Sequence, residues 1–313
     1  MSIVTRPATA ALSLIALLAL SACQTLPTAP PAVCAPVAAA SAPAVAVEPP
    51  LKPTRAPRIG LALGGGAARG FAHIGVIQVL EENGIRPDLV VGTSAGSLVA
   101  SLYASGKHGK ELAQLALAMD ESAITDWSFP GRGLIRGEAL AKYVRDQTGN
   151  KAMEQMPLPL GVVATDLDSG SAILFQRGDV GVAVRASSAV PSVFQPVKIG
   201  THEYVDGGLV SPVPVRFARQ MGADVVIAVD ISEDPTGAAS GDALRILLKT
   251  FSIMGRSINV LELKEADVVV RPRLNGVPGT DFTVRQKTIQ AGREAALAVL
   301  PLLKTKATTP VPR

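Results

Sequence analysis

Two apolar runs, each ending in a glycine-rich turn that opens a helical pattern, constrain this chain more than any other feature. Ile59 to Leu63 runs into Gly64-Gly65-Gly66-Ala67-Ala68-Arg69-Gly70, and Phe71 to Leu80 then carries apolar residues at helical spacing until Gly84 stops it. The same grammar recurs in Leu89 to Val91, the turn Gly92-Thr93-Ser94-Ala95-Gly96 and a helix through Tyr103. Short runs without polar alternation suit strands covered on both faces, and further ones stand at Leu160 to Ala164, Val225 to Val229 and Val268 to Val270. Such alternation predicts one α/β domain with a largely parallel sheet, and no repeat of fixed period divides it.

Composition supports a core and removes several function classes. Of 313 residues, 48% are hydrophobic and only 4% aromatic, enough for helices on buried strands but poor material for base-stacking platforms. The net charge of +4 is scattered, with no run of five basic residues, so nucleic acid is not an expected partner. Two cysteines and the three histidines His73, His108 and His202 show no metal-ligand spacing, and no acidic loop has the oxygen spacing of a calcium site. No metal and no cofactor is expected.

The N-terminus reads as an address and a tether. Arg6 precedes the apolar stretch Ala10 to Leu20, too short to cross a bilayer but suited to a secretory signal, predicted over residues 1–22. Leu20-Ser21-Ala22-Cys23 resembles the bacterial lipobox, which implies cleavage before Cys23 and acylation of its thiol; the alternative is ordinary cleavage with a free Cys23 thiol. By resemblance to sorted lipoproteins, Gln24 in place of Asp after the cysteine implies the outer membrane over inner-membrane retention, facing the periplasm. Residues 23–57, with nine prolines from Gln24 to Pro57, form a lipidated Pro/Ala-rich linker that leans toward extended structure. Cys34 within it has no assigned role. The folded domain is placed at 58–304 and a C-terminal tail at 305–313.

Both glycine turns fall at the carboxyl ends of strands, where parallel sheets bind ligands. The first loop is no dinucleotide fingerprint, because Arg69 stands where a glycine or alanine is needed, and no phosphate loop, because Phe71-Ala72 replaces the Lys-Ser/Thr pair. It remains as an anion-stabilising loop presenting backbone N–H groups at Gly65 and Gly66, or as a plain tight turn. The second matches the G-x-S-x-G elbow, which thrusts a serine hydroxyl out of a strained strand-to-helix corner and makes Ser94 a candidate nucleophile.

A serine needs a base. His202 follows Asp166, Asp168 and Asp179 in the order of a Ser, acid, His triad, yet no histidine occurs in the last 111 residues, where such triads place theirs. The other candidate is Asp206, followed by Gly207-Gly208 in a compact turn.

Gly64 to Gly70, Gly92 to Gly96, Ala186-Ser187-Ser188-Ala189-Val190-Pro191 and Asp206-Gly207-Gly208 together resemble the four blocks of the patatin-like phospholipases, especially the bacterial branch related to neuropathy target esterase. The resemblance spans Ile59 to Asp230 and weakens toward Leu303. It implies a three-layer α/β/α sandwich with a mainly parallel central sheet. It implies Ser94 as nucleophile, Asp206 as its partner in a Ser-Asp dyad, and Gly64, Gly65 and Gly66 as oxyanion hole. Arg69 matches the basic residue of the first block, orienting substrate phosphate or bracing the loop. The implied function is hydrolysis of fatty-acyl esters of phospholipids or lysophospholipids through an acyl-enzyme, without cofactor, beside the membrane that Cys23 engages. Alternatives are a short-chain esterase or acyltransferase, and a non-catalytic envelope interaction lipoprotein.

The remaining candidates take plainer roles. His73 is expected to pack or hydrogen-bond, His108 to sit in a solvated loop, and His202 to be a partly exposed hairpin residue. Trp127 and Phe129 are read as covering a core edge, with an acyl groove or lipid contact as the other use. The apolar pattern Asp242 to Lys264 is read as a core helix, with the wall of an acyl pocket as the alternative.

Overall fold

The computed structural model describes residues 54–127, 132–233, 243–277, 279 and 281–312, all within one compact unit, Leu51–Arg313. The signal segment, Cys23, Cys34, most of the linker, and Phe129 lie outside the described residues. The strands are β1 (Thr54–Arg55), β2 (Ile59–Leu63), β3 (Leu89–Thr93), β4 (Gly133–Ile135), β5 (Leu160–Asp166), β6 (Ala172–Phe175), β7 (Ser192–Phe194), β8 (Val197–Ile199), β9 (His202–Asp206), β10 (Val225–Val229), β11 (Val268–Val270) and β12 (Val311–Pro312). The helices are α1 (Phe71–Glu82), α2 (Ala95–Ala104), α3 (Gly109–Ala118), α4 (Glu138–Gln147), α5 (Val180–Ser187), α6 (Val215–Gln220), α7 (Ala243–Glu262), α8 (Arg285–Ala298) and α9 (Leu300–Thr308).

The central sheet runs β11-β10-β2-β3-β5-β9-β8, with β6 also paired to β5. Its first five strands are parallel, and these are the five that the apolar runs mark; pairing among β5, β6, β8 and β9 is antiparallel. Successive side chains of a strand point to opposite faces, so one buried run feeds two cores. Leu61 and Leu63 of β2 join a cluster with α1, α2, α5, α8 and α9, while Ala62 faces a second cluster with Val215, Phe217 and Ala218 of α6. The result is an α/β/α sandwich whose first helical layer is much the thicker. In that layer α1 and α8 touch backbone to backbone: a Cβ at Gly75 would stand 1.9 Å from Ile289 O, and one at Gly292 2.0 Å from Ala72 O.

The ordered unit reaches past both expected boundaries. Thr54 and Arg55 pair antiparallel with Pro312 and Val311, and α9 continues through residue 304. Arg55 also bridges to Asp224 at 2.6 Å. Separately, β4 and β7 form a small parallel pair. Among the described residues no helix is long and apolar enough to cross a membrane.

Candidate active site

The corner after β3 is built by close packing. Ser94 has φ 53°, a left-handed conformation that costs a non-glycine residue roughly 1–2 kcal/mol and persists only where surroundings impose it. Here they do. A Cβ at Gly92 would lie 2.3 Å from Gly96 O, and one at Gly96 would lie 2.1 Å from Leu63 O, so neither position accepts a side chain without opening the contact between β2, β3 and α2. The Ser94 N–H donates to Ser187 Oγ at 2.8 Å, and that hydroxyl donates to Val163 C=O at 2.6 Å. Ser187, at the end of α5, therefore ties the corner to β5. The stretch Ala186 to Pro191 contains this residue, but the sequence assigns it no role; its position among small residues at the end of a helix is the only signal.

Asp206 closes β9, opposite Ala164 of β5. A Cβ at Gly207 would stand 2.2 Å from Val163 O, so the glycine after the aspartate lets this strand end press against β5 beside the serine corner. Asp206 is buried, and burial pushes its carboxyl up to about 6, although hydrogen bonding from the Ser94 side chain and from the Gly208 N–H works in the opposite direction. That Gly208 N–H lies 2.7 Å from Oδ1. The serine hydroxyl and the carboxylate are thus neighbours on the floor of one cavity, and none of the three histidines lines it.

The glycine loop differs from expectation. Gly64 N–H donates to Val229 C=O at 3.1 Å, extending the β2–β10 pairing, and Gly65 N–H donates to Pro212 C=O at 2.9 Å. Two of the three expected oxyanion donors are therefore committed, and of the three only the Gly66 N–H has no acceptor among the described residues. Gly65 has a different use: a Cβ there would be 3.2 Å from the Ser94 Cβ, so its bareness leaves the hydroxyl accessible. Two further amides, Ala95 and Gly96, open α2 directly after Ser94, where the first N–H groups of a helix lack internal partners. His73 is fully buried and fixes the loop from behind, donating Nε2–H to Gly64 C=O at 2.8 Å; burial holds its pKa down at about 4 and keeps it neutral.

Arg69 lies on the short helical turn Ala67–Gly70, and its side chain lines the same cavity while only 8% exposed. Burial lowers its pKa, opposed by Glu233, whose carboxylate is 3.4 Å from Nη1; its Nε has no partner among the described residues. A buried guanidinium with an unpaired N–H is suited to hold an anion.

The cavity measures about 290 Å³, and its apolar lining includes Val190, Leu209, Leu248 and Phe251. The last two belong to α7, which corrects the expectation that Asp242 to Lys264 is a core helix. Only Gly255, Asn259 and Glu262 of α7 are buried, and its inner face is a cavity wall. Its C-terminal end is pinned by a polar chain, in which Thr93 Oγ1 donates to Ser211 C=O at 2.9 Å and Ser211 Oγ donates to the Glu262 carboxylate at 2.8 Å. Burial pushes Glu262 up to about 6, against Ser211 and Arg216.

This arrangement has counterparts. The sequence model of the patatin-like phospholipase family matches residues 61–219, half of the chain. The chain belongs to the patatin-like phospholipases. Its relatives place it on the NTE-type branch. It is 38% identical over 208 residues to an uncharacterized NTE family protein of Mycobacterium tuberculosis, covering 66% of this chain and 58% of that one. It is 36% identical over 197 residues to patatin-like phospholipase domain-containing protein 6 of Mus musculus, covering 59% of this chain and 14% of that one. The chain thus spans about half the length, or less, of these relatives. The crystal structure of VipD from Legionella pneumophila shares the patatin-like fold, with a TM-score of 0.56 at 16% identity over 81% of this chain and 68% of that one.

Other singled-out residues fall outside this patatin-like cavity. His202 pairs with Asp166, Nδ1 to Oδ2 2.9 Å, and more loosely with Asp168 at 3.7 Å. Burial pushes Asp166 up, but N–H donation from Ser169 and Asp168 and the nearby His202 prevail and hold it low. These three side chains gather within 4.8 Å although their sequence spacing shows no metal pattern; the antiparallel edge brings them together. His108 caps α3 and meets Glu81 at 3.1 Å, and Trp127 is exposed beside β4.

Proposed function

We propose that this chain is a serine acyl hydrolase acting on fatty-acyl esters of phospholipids or lysophospholipids, with Ser94 as nucleophile and Asp206 as base. The observation that carries the reading is the serine hydroxyl on a strained corner beside a buried carboxylate, at the floor of an apolar cavity that no histidine lines. An aspartate with an ordinary pKa is a weak base for a hydroxyl; at about 6 the mismatch shrinks by about two units, near 3 kcal/mol of proton affinity.

In the proposed reaction the Ser94 oxygen attacks the ester carbonyl while its proton passes to Asp206. Negative charge on the former carbonyl oxygen is received by the Gly66 N–H and the opening amides of α2, aided by the positive end of that helix. Collapse expels the lyso-lipid alkoxide, which takes the proton from Asp206, and leaves an acyl-serine. Water then gives its proton to Asp206, attacks the acyl carbon, and releases fatty acid with the proton returned to Ser94. Arg69 faces the phosphate and the chain of the substrate runs along Leu248 and Phe251.

The reading also carries a lipid anchor on Cys23 at the outer membrane, facing the periplasm. Labelled palmitate incorporated into wild type and lost in Cys23→Ser tests this; equal labelling removes the anchor. For the reaction, purified full-length protein is given mixed-chain phospholipid. Fatty acid released by wild type and absent from Ser94→Ala and Asp206→Asn is the expected result, and equal release by wild type and Ser94→Ala overturns the proposal. Hydrolysis confined to short acyl esters would transfer the site to a short-chain esterase. A protein that also fails to react with a fluorophosphonate probe would be a non-catalytic interaction lipoprotein.

A further inference from the structure

Helix α7 has a second face that the cavity does not use. Ile246, Ile253, Met254, Val260 and Leu261 are each about half exposed or more, reaching 65% at Leu261. With Thr250 and Ser257 between them they fall at i, i+4, i+7, i+8, i+11, i+14 and i+15, a single stripe opposite the wall formed by Leu248, Phe251 and Gly255. Folded proteins rarely leave so many large aliphatic side chains in one exposed row without a partner.

Charge decides between partners. Along one border of the stripe stand Arg245, Lys249 and Arg256, again at helical spacing, and Arg256 also lines the cavity. The only acidic residue of α7 is Glu262, which is buried against Ser211 and Arg216. An apolar stripe edged by cations, with no exposed acidic residue on α7 itself, is the pattern of a helix lying in the headgroup region of an anionic bilayer. A second copy of the chain, packed through an antiparallel two-fold contact of this helix, would bring the same cations against one another.

We infer that the outer face of α7 is a membrane-docking surface for anionic phospholipid, which seats the cavity wall formed by its inner face at the lipid interface. Ile253, Met254 and Leu261 enter the acyl boundary while Arg245, Lys249 and Arg256 meet phosphates. This adds a second contact to the proposed Cys23 tether and deepens the proposed lipid activity without depending on turnover.

The test reads location directly. Full-length protein carrying Trp127→Phe and Leu261→Trp is mixed with phosphatidylcholine/phosphatidylglycerol vesicles whose acyl chains are brominated. The inference expects a blue shift and strong quenching of the introduced indole, and no quenching for a Leu117→Trp control on α3 in the opposite helical layer. A tether at Cys23 alone leaves the Leu261 position in water, so an unquenched indole overturns the inference, as does equal quenching at both positions. A second variant, Ile253→Ser with Leu261→Ser, touches nothing in the cavity. It is expected to lower hydrolysis of vesicle phospholipid about tenfold or more while hydrolysis of a soluble short-chain ester is unchanged. A dimer in solution that this double variant dissociates, with no quenching, would make the stripe a contact between copies and overturn the docking surface. If the catalytic reading fails, the quenching result still stands.

Discussion

Replacing Asp206 by asparagine should make this protein more stable at neutral pH while removing its activity, because the carboxylate is held where the fold disfavours its charge. Burial raises its pKa from 3.8 to about 6, so between about pH 4 and pH 6 the folded chain keeps a proton that the unfolded chain has released. Stability then falls as pH rises through that window, and above about pH 7 the whole penalty is present. At 1.36 kcal/mol per unit, the roughly two-unit shift amounts to about 3 kcal/mol. Asparagine is neutral throughout, has the same shape and can still accept the Gly208 N–H, so it escapes the penalty. For a domain of this size the gain corresponds to roughly 5–10 °C in Tm. Thermal melts of both proteins at a series of pH values provide the assay. The gap should be wide at pH 8 and nearly closed at pH 4. An Asp206→Asn protein no more stable than wild type at pH 8, or a gap that does not narrow on acidification, would refute the claim that a desolvated carboxylate is held here.

Three further outcomes follow from the same geometry. Because Asp206 must be unprotonated to accept the serine proton, kcat/KM should rise with pH and level off above an inflection near 6, measured with a substrate that does not itself titrate. Ser187→Ala removes the acceptor for the Ser94 N–H and the donor to Val163 C=O, so it should cost about 1–3 kcal/mol in denaturant titrations and lower kcat more than it changes KM. Gly96→Ala should be among the most damaging single substitutions, costing more than about 3 kcal/mol or preventing folding, since its methyl group would stand 2.1 Å from Leu63 O; circular dichroism on heating checks this. A fully folded, active Gly96→Ala protein would show that the corner is looser than the contact implies.

Much of the scaffold was legible because its signals are local. The five parallel strands are written as uninterrupted apolar runs, and the serine corner as glycines flanking a residue that must be thrust outward. What stayed hidden concerns direction and company. Helix α7 shows the difference: its period is plain in the residues, but an apolar helix face looks the same whether it meets a core, a cavity or solvent. The triple-glycine loop shows it again, since the need for glycine was visible while the fate of each N–H was not. Gly64 and Gly65 give theirs to Val229 and Pro212, strand and loop residues far along the chain.

By itself, then, the sequence determined the α/β alternation and the two turns, since backbone conformation and burial are dictated over a few residues at a time, whereas the pairing of Ser94 with Asp206 is implied only by the family resemblance. The tertiary structure alone decided that Ser187 braces the serine corner, that His202 joins Asp166 instead of the cavity, that the Asp206 carboxyl rises to about 6, and that α7 presents one apolar face inward and another to solvent. Desolvation and hydrogen-bond partnership depend on every atom within a few ångströms, and most of those atoms come from residues distant in the chain.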